Sequence, residues 1–304
     1  MESHALRADL HDPAALASLG HVEVVARWIV DGFLSGLHRS PRKGFSVEFA
    51  DFRPYQPGDD LRYVDWKIAA RSDRWVVKQY EEETNLRATL VLDVSRSMAW
   101  RGAPAEQRLS KRAYAEQLVA ALALLLLRQR DAVGLIRFDD AVRTSIPPRA
   151  RTTQWRRLVA GLAEPAGGRA SDLVAALGQA ARLVTRRGMV LLASDLLVDV
   201  AAVMPALRGL RAAGHDVTVF HVMDPAERRF TLAGEAHYED PESMLAVPAA
   251  GADVRAAYES TVATVIEEWR DALGAMGAGY ELVLTDQPYA VPLRRAFDTR
   301  QRRP

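Results

Sequence analysis

The chain of 304 residues contains no cysteine. This absence excludes disulfide bonds, cysteine-ligated zinc, iron–sulfur clusters and thiol catalysis, and it agrees with a reducing compartment. Long apolar runs are also missing, because the most apolar stretch, residues 118–127, is only about half of the roughly 20 residues that cross a bilayer. The first residues include acidic side chains and no apolar core, so we expect a cytoplasmic protein without a signal peptide or membrane span.

An excess of charge of either sign is absent as well. The chain has Lys+Arg 40 and Asp+Glu 39, which leaves a net charge of +1. Such a balance gives no general attraction to nucleic acid or to an anionic membrane. Residues 39–74 are rich in arginine, but acidic residues alternate with them. We therefore expect internal ion pairs or a protein interface there, and no nucleic-acid partner.

The chain does contain a regular alternation of short apolar runs and helical patterns. Runs rich in leucine and β-branched residues at 88–94, 131–138, 188–194, 215–222 and 279–285 predict strands. Strands separated by helical patterns predict an α/β fold with a largely parallel sheet that is covered on both faces. The segment 131–146 reads as a hairpin, which predicts one short antiparallel edge strand.

The first part of the chain has a different pattern. It predicts two helices followed by an irregular or β-containing arm, so we expect an N-terminal region at 1–85 that packs on a main domain at 86–304. Trp66 and Trp75 lie in this arm. Because aromatic side chains bury large areas, we expect the two rings to anchor the arm. The basic residues near the C-terminus predict a frayed, solvated end.

Three oxygen-bearing side chains stand at the end of the first predicted strand of the sheet. Asp93 ends the apolar run, and Ser95 and Ser97 follow at alternate positions. Open α/β sheets place their ligands at the carboxyl ends of the strands. A carboxylate and two hydroxyls on one loop suit a hard cation such as Mg²⁺. Since hydroxyls are neutral, the ion would keep much of its charge for an acidic group of another molecule.

This Asp-x-Ser-x-Ser motif resembles the metal-ion-dependent adhesion site of von Willebrand factor A domains. The resemblance implies a doubly wound von Willebrand factor A-like sheet, a hydroxyl from a second loop and an Asp from a third. Ser171 follows the glycines of residues 167–168, and Asp195 ends the apolar run 189–195. The implied metal site therefore consists of Asp93, Ser95, Ser97, Ser171 and Asp195, holds Mg²⁺ (or Mn²⁺ or Ca²⁺) and keeps one coordination position open.

A second resemblance covers residues from about 20 to about 300. The chain resembles domain-of-unknown-function family fifty-eight, whose members are often encoded beside MoxR-type AAA+ ATPases. This resemblance implies a MoxR-type ATPase, or a client of its chaperone-like activity, as the protein partner. The motifs that carry it are residues 36–44, residues 48–67, Ala69-Ala70-Arg71, Tyr80-Glu81-Glu82-Glu83 and Asp224-Pro225-Ala226-Glu227.

Two functions agree with these patterns. The first is an adaptor that captures an acidic side chain of a partner through the ion. The second is a metal-dependent hydrolase that uses the same ion as a Lewis acid. Ser95 stands where phosphatases of the haloacid-dehalogenase type usually carry a second aspartate, and we find no dedicated general base in the sequence. No phosphate-binding loop of the Gly-x-x-x-x-Gly-Lys-Ser/Thr type is present, and isolated His215 and His221 have no zinc-like spacing. We therefore predict a binding protein and no enzyme.

Overall fold

The structure is a computed structural model. It describes residues 21–38, 52–56, 64, 66–72, 75–78, 86–102, 108–151, 153–167, 172–230, 235–239 and 246–301. The strands are β1 (Phe52–Pro54), β2 (Val76–Lys78), β3 (Arg87–Asp93), β4 (Ala132–Phe138), β5 (Val142–Arg149), β6 (Met189–Ser194), β7 (Asp216–Met223), β8 (Glu235–Glu239), β9 (Ala246–Ala250) and β10 (Gly279–Leu284). The helices are α1 (Val22–His38), α2 (Trp66–Ser72), α3 (Lys111–Arg128), α4 (Gln154–Leu162), α5 (Leu173–Leu183), α6 (Val200–Ala212), α7 (Pro225–Arg229), α8 (Gly251–Ala275) and α9 (Ala290–Gln301).

A sheet of six strands lies at the centre of the molecule, in the order β10-β7-β6-β3-β4-β5. Neighbouring strands are parallel except for the pair β4–β5, which is antiparallel. This confirms the predicted α/β fold with a mostly parallel sheet and an antiparallel edge strand. The edge strand has 8 residues and is longer than expected, because an edge position tolerates the consecutive prolines at 147 and 148.

Helices cover both faces of the sheet, and the strands are buried accordingly. Along β3, Leu90 and Leu92 belong to one hydrophobic core, whereas Val91 between them belongs to the other. Successive side chains of a strand point to opposite faces, so a strand covered on both sides reads as a continuous apolar run. Helices α1, α3, α4 and α9 contribute to the first core, and α5, α6 and α8 contribute to the second.

Helix α1 joins the core of the main sheet through helix α3. The two helices pack against each other, and Val25, Ile29 and Phe33 of α1 are buried. These residues recur every fourth position and therefore form one apolar stripe. Most of α3 is buried as well, because its leucine-rich sequence is apolar on every side and needs cover on its outer face.

One prediction about an exposed region is wrong. Trp66 and Trp75 are 54% and 47% exposed, so they are not buried anchors. Their rings lie edge to face at 5.7 Å between centroids, and Trp75 also contacts Tyr55. The C-terminal segment forms helix α9, which ends at residue 301 and is held on the sheet by buried Leu293. Its basic residues Arg294 and Arg295 are exposed, as predicted, and residues 302–304 lie outside the described residues.

After β7 and α7, strands β8 and β9 form a separate antiparallel pair. Within the described ranges, no helix is both long and apolar enough to cross a membrane.

Candidate functional site

Parallel pairing brings the carboxyl ends of β3, β6 and β7 to one edge of the sheet. Leu92 of β3 pairs with Ala193 of β6, and Ser194 pairs with His221 of β7. The side chains that follow these strands therefore meet at one place. We call this place the carboxyl-edge site; it contains Asp93, Ser95, Ser97, Ser194, Asp195 and Lys111.

Asp93 is the most enclosed acid of the site, with no exposed side-chain surface. The backbone N–H of Ser95 donates to its Oδ1 at 2.9 Å, and the hydroxyl of Ser194 donates to its Oδ2 at 2.6 Å. Burial and then the charge of Asp195 raise the pKa of Asp93 to about 7, although these hydrogen bonds oppose the rise. Within the described chain, Asp93 has no cationic partner. A cation stabilises a buried carboxylate that has no cationic partner.

The hydroxyls of Ser95 and Ser97 form a hydrogen bond with each other, and their separation is close to that of two ligands on one ion. Their Oγ atoms lie 3.1 Å apart and both side chains are buried. Adjacent ligands of an octahedral Mg²⁺ are about 2.9 Å apart, since each Mg–O bond is about 2.0–2.1 Å. The Asp-x-Ser-x-Ser loop thus fits the predicted ion. Because the hydroxyls are buried, an incoming carboxylate needs the surrounding chain to open.

Asp195 is brought to the same edge but is already paired with a lysine. The Nζ of Lys111 lies 2.9 Å from its Oδ2 and 2.6 Å from Oε1 of Glu227. Lys111 is only 1% exposed. Burial lowers the pKa of Lys111, but Asp195 and Glu227 outweigh it, so that its pKa lies above the ordinary value. The ammonium group therefore remains charged between two carboxylates.

Sequence reasoning missed Lys111. It stands at the first position of α3, after the N-cap Ser110, whose hydroxyl accepts from the backbone N–H of Ala113. A cation is unfavourable at a helix N-terminus because the helix dipole is positive there. A lysine at such a position, ahead of an apolar helix, signals a compensating acid nearby, and this signal is visible in the sequence.

The turn after β6 holds Asp195 in place. Leu196 has a φ of 53°, a left-handed conformation that costs a non-glycine residue on the order of 1 kcal/mol or more. Its N–H donates to Ser194 Oγ at 3.1 Å, and its carbonyl accepts from Val198 at 2.7 Å. These bonds hold the strained turn that aims Asp195 at Lys111.

Ser171, the predicted hydroxyl from the second loop, lies outside the described residues. Its neighbour Asp172 caps helix α5 by accepting from the N–H of Ala175, and its own N–H donates to the carbonyl of Asp139 at 3.1 Å. Asp139 directly follows β4, whose end is bonded to β3 through Val94 and Phe138. Asp172 therefore ties the start of α5 to the strand end next to Asp93.

Asp224, at the end of β7, holds the chain that follows the Asp-x-Ser-x-Ser loop. It is fully buried and accepts from Gly102 N–H and from Arg108 Nη1, each at 3.0 Å. A Cβ at Gly102 would lie 2.6 Å from Asp224 Oδ1, so only glycine fits. Asp224 and Glu227 also form a capping box on α7, the physical role of the Asp-Pro-x-Glu sequence.

The two histidines take no part in a metal cluster. His221 Nδ1 lies 2.8 Å from the Tyr280 hydroxyl, and burial lowers the pKa of His221 to about 4. Among the residues that the structure describes, no three His, Asp or Glu side chains come together as metal ligands. The predicted ion site has only two carboxylates, and its other ligands are hydroxyls.

Similar proteins include uncharacterised proteins from Mycobacterium bovis and Mycobacterium tuberculosis. Each is 33% identical over 242 residues, which covers 78% of this chain and 74% of the relative. Solved structures with a similar course of the chain include an aerotolerance-related membrane protein from Bacteroides fragilis (TM-score 0.49, 16% identity) and the conserved hypothetical protein BatB from Bacteroides thetaiotaomicron (TM-score 0.43, 15% identity). Both alignments cover 71% of this chain and 99% of the other. The family pattern described as protein of unknown function DUF58 matches residues 51–268, so the chain belongs to the DUF58 family.

Proposed function

We propose that this protein is a von Willebrand factor A-like adaptor that binds an acidic side chain of a protein partner through a divalent cation at the carboxyl-edge site. The observation that carries the proposal is the arrangement around Asp93. A fully buried carboxylate without a cationic partner in the described chain lies beside two hydroxyls at 3.1 Å from each other. A hard cation satisfies both groups, and its ligands are oxygen atoms, as Mg²⁺, Mn²⁺ and Ca²⁺ require.

In this proposal, each residue of the site has a distinct role. Ser95 and Ser97 ligate the ion directly, and Ser171 supplies the third hydroxyl. Asp93 orients the loop by accepting from Ser95 and balances the ion's charge. Asp195 acts through water, because Lys111 already occupies its Oδ2. The ion supplies positive charge to which a carboxylate of the partner binds.

The family resemblance suggests the partner. We propose a MoxR-type AAA+ ATPase, or a protein on which such an ATPase acts, with the adaptor assisting assembly or maturation of that protein. An aspartate or glutamate of this partner fills the open coordination position. Its attraction to the ion grows as water is excluded from the contact, because the local dielectric falls.

The hydrolase alternative has less support than the adaptor. A general base must reach a proton of the attacking water. In the described part of the site, both oxygens of Asp93 accept hydrogen bonds, and Asp195 is held by Lys111. A panel of phosphate esters with Mg²⁺ or Mn²⁺ tests this alternative, and turnover that Asp93→Ala abolishes would replace the adaptor by an enzyme.

The adaptor is tested by co-purification with the MoxR-type ATPase of the same organism. We expect recovery with Mg²⁺, loss with chelator, and loss with Ser97→Ala in the presence of Mg²⁺. Ser260→Ala is the matched control, since Ser260 is exposed on α8. Replacing the partner's acidic residue by its amide should have the same effect as chelation. Equal recovery under all conditions would show that the ion does not mediate the contact.

A further inference from the structure

A cleft lined by arginines lies at the opposite edge of the sheet. It begins where β3 and β4 begin and where the antiparallel β5 ends, and its volume is about 630 Å³. The seven residues of β3 span about 20 Å at 3.3 Å per residue, so this cleft is separate from the ion site. We call it the arginine cleft; its principal residues are Arg87, Pro147, Pro148, Arg149, Arg151 and Arg186.

Close backbone packing builds the walls of the arginine cleft. A Cβ at Gly188 would lie 2.2 Å from the carbonyl oxygen of Arg87, so glycine lets the chain that carries Arg186 approach the start of β3. On the other side, a Cβ at Gly134 would lie 2.6 Å from the carbonyl oxygen of Ile146 and 2.8 Å from Pro148. Glycine there lets the proline segment press against β4.

A buried glutamine fixes the proline wall. Gln154 Nε2 donates to the carbonyl of Val133 at 2.7 Å and to the carbonyl of Pro147 at 3.0 Å. Arg87 Nη2 donates to the carbonyl of Pro148 at 3.3 Å. The arginines of the cleft thus project from three chain segments whose backbones are held together.

The cleft collects four positive charges, those of Arg87, Arg149, Arg151 and Arg186. Among the described residues, no acidic side chain lines it, and no carboxylate pairs with Arg149, Arg151 or Arg186. Some arginines elsewhere are paired with acids, as Arg108 is with Asp224 and Arg128 is with Asp31. The chain as a whole has a net charge of only +1. Like charges held together in a concave surface attract anions.

We propose that the arginine cleft binds a small anion that carries two or more phosphate groups. Guanidinium groups bind phosphate oxygens in pairs of parallel hydrogen bonds. The cleft volume lies within the range of about 300–1,000 Å³ typical of small-molecule sites, and it exceeds what a single phosphate fills. Pro147, Pro148 and Ala132 add apolar surface on which a ring of the ligand packs. The concave, short cleft favours a small ligand over a polymer.

The test is calorimetric titration of the full chain with tripolyphosphate, ADP, phosphate and sulfate at equal ionic strength. We expect tripolyphosphate and ADP to bind at least about tenfold more tightly than phosphate or sulfate. Tighter binding of ADP would identify a nucleotide as the natural source of the phosphates, and equal binding would identify the phosphate chain alone. The double variant Arg149→Gln/Arg186→Gln should weaken binding by about tenfold or more for each arginine.

The matched control is Arg182→Gln/Arg208→Gln, which removes the same charge from exposed positions on α5 and α6. It should bind as the natural chain does. Three results would overturn the proposal: sulfate that binds as well as tripolyphosphate, equal weakening by the control and the cleft variant, or a single-stranded oligonucleotide that binds more tightly than either polyphosphate. Melting without ligand verifies that both variants are folded.

Discussion

At the carboxyl edge of the sheet the charged side chains are buried, and most contact an opposite charge or a hydroxyl. At the amino edge four arginines line an open cleft, and no carboxylate of the described chain lines it. Both arrangements follow from parallel pairing, which brings strand beginnings to one edge and strand ends to the other. The degree of burial determines whether the charges at each edge need compensating groups within the fold. A buried charge must be compensated within the fold, whereas an exposed charge is compensated by water and salt at little cost.

The comparison predicts which changes affect folding and which affect binding. At the carboxyl edge, a change that removes the partner of a buried charge should have a large effect on stability. Changes at the amino edge should leave stability nearly constant and alter only the affinity for anions. The following predictions run from the largest expected effect on stability to the smallest.

Lys111→Met should cause the largest loss of stability. The side chain keeps a similar length, but Asp195 and Glu227 lose the cation between them. Breaking a buried ion pair in this way costs about 3–5 kcal/mol. Denaturant unfolding measures the loss, and Mg²⁺ should restore part of it by binding to the freed carboxylates. Adding Glu227→Gln to Lys111→Met should reduce the loss, and a loss below 1 kcal/mol (of the size seen for exposed ion pairs) would contradict the pairing.

The sequence predicts the strands and the residues at their ends, but it does not predict the contacts of Lys111 with residues far away in the chain. Strands β3, β4, β6, β7 and β10 are confirmed within one or two residues, because a strand buried on both faces is a continuous apolar run bounded by polar residues. Asp93 and Asp195 could be placed at one edge for the same reason. The partners of Lys111 and Asp224 could not be identified, because they lie 84 and 122 residues away in the chain. A lysine at a helix N-terminus indicates that an acid is nearby, but it does not show which acid. Trp66 was misjudged because ring size does not reveal which surface covers the ring.

Gly102→Ala should cause the next largest loss of stability. The new Cβ would collide with Asp224 Oδ1 at 2.6 Å and displace the chain after the Asp-x-Ser-x-Ser loop. Inserting a methyl group into packed structure costs about 1–3 kcal/mol, and thermal unfolding without ion measures the loss. Gly209→Ala is the control, since a Cβ there meets nothing within 4 Å. If both variants melt alike, Asp224 does not clamp this chain.

Asp93→Asn separates ion binding from stability. The amide keeps the shape of the side chain but removes the charge that balances the ion, so the rise in melting temperature with Mg²⁺ should disappear. For the natural chain, this rise corresponds to about 2.7 kcal/mol at an ion concentration of 100 times the dissociation constant. Without ion, the variant should be as stable as the natural chain or more stable, because Asp195 no longer repels a charge. An unchanged response to Mg²⁺ would place the ion elsewhere.

Trp66→Ala should cost only about 1 kcal/mol. The ring is 54% exposed, and its described ring contact is the edge-to-face contact with Trp75; such contacts contribute about 0.5–1.5 kcal/mol. Equilibrium unfolding gives the loss, with Trp28→Ala as a control at a ring of similar exposure. A loss of several kcal/mol would mean that this ring is an anchor of the arm after all.

Arg149→Gln/Arg186→Gln should change stability least, within about 0.5 kcal/mol, which is the usual range for exposed substitutions. Removing two of four like charges relieves repulsion, so the change should be slightly stabilising at low salt and should vanish at high salt, where the Debye length falls to a few ångströms. Unfolding at both salt concentrations measures it. Tripolyphosphate should then stabilise the natural chain and not the variant, since only the natural cleft binds it. A destabilisation above 1 kcal/mol would show that these arginines hold the fold together, and the contrast between the two edges of the sheet would fail.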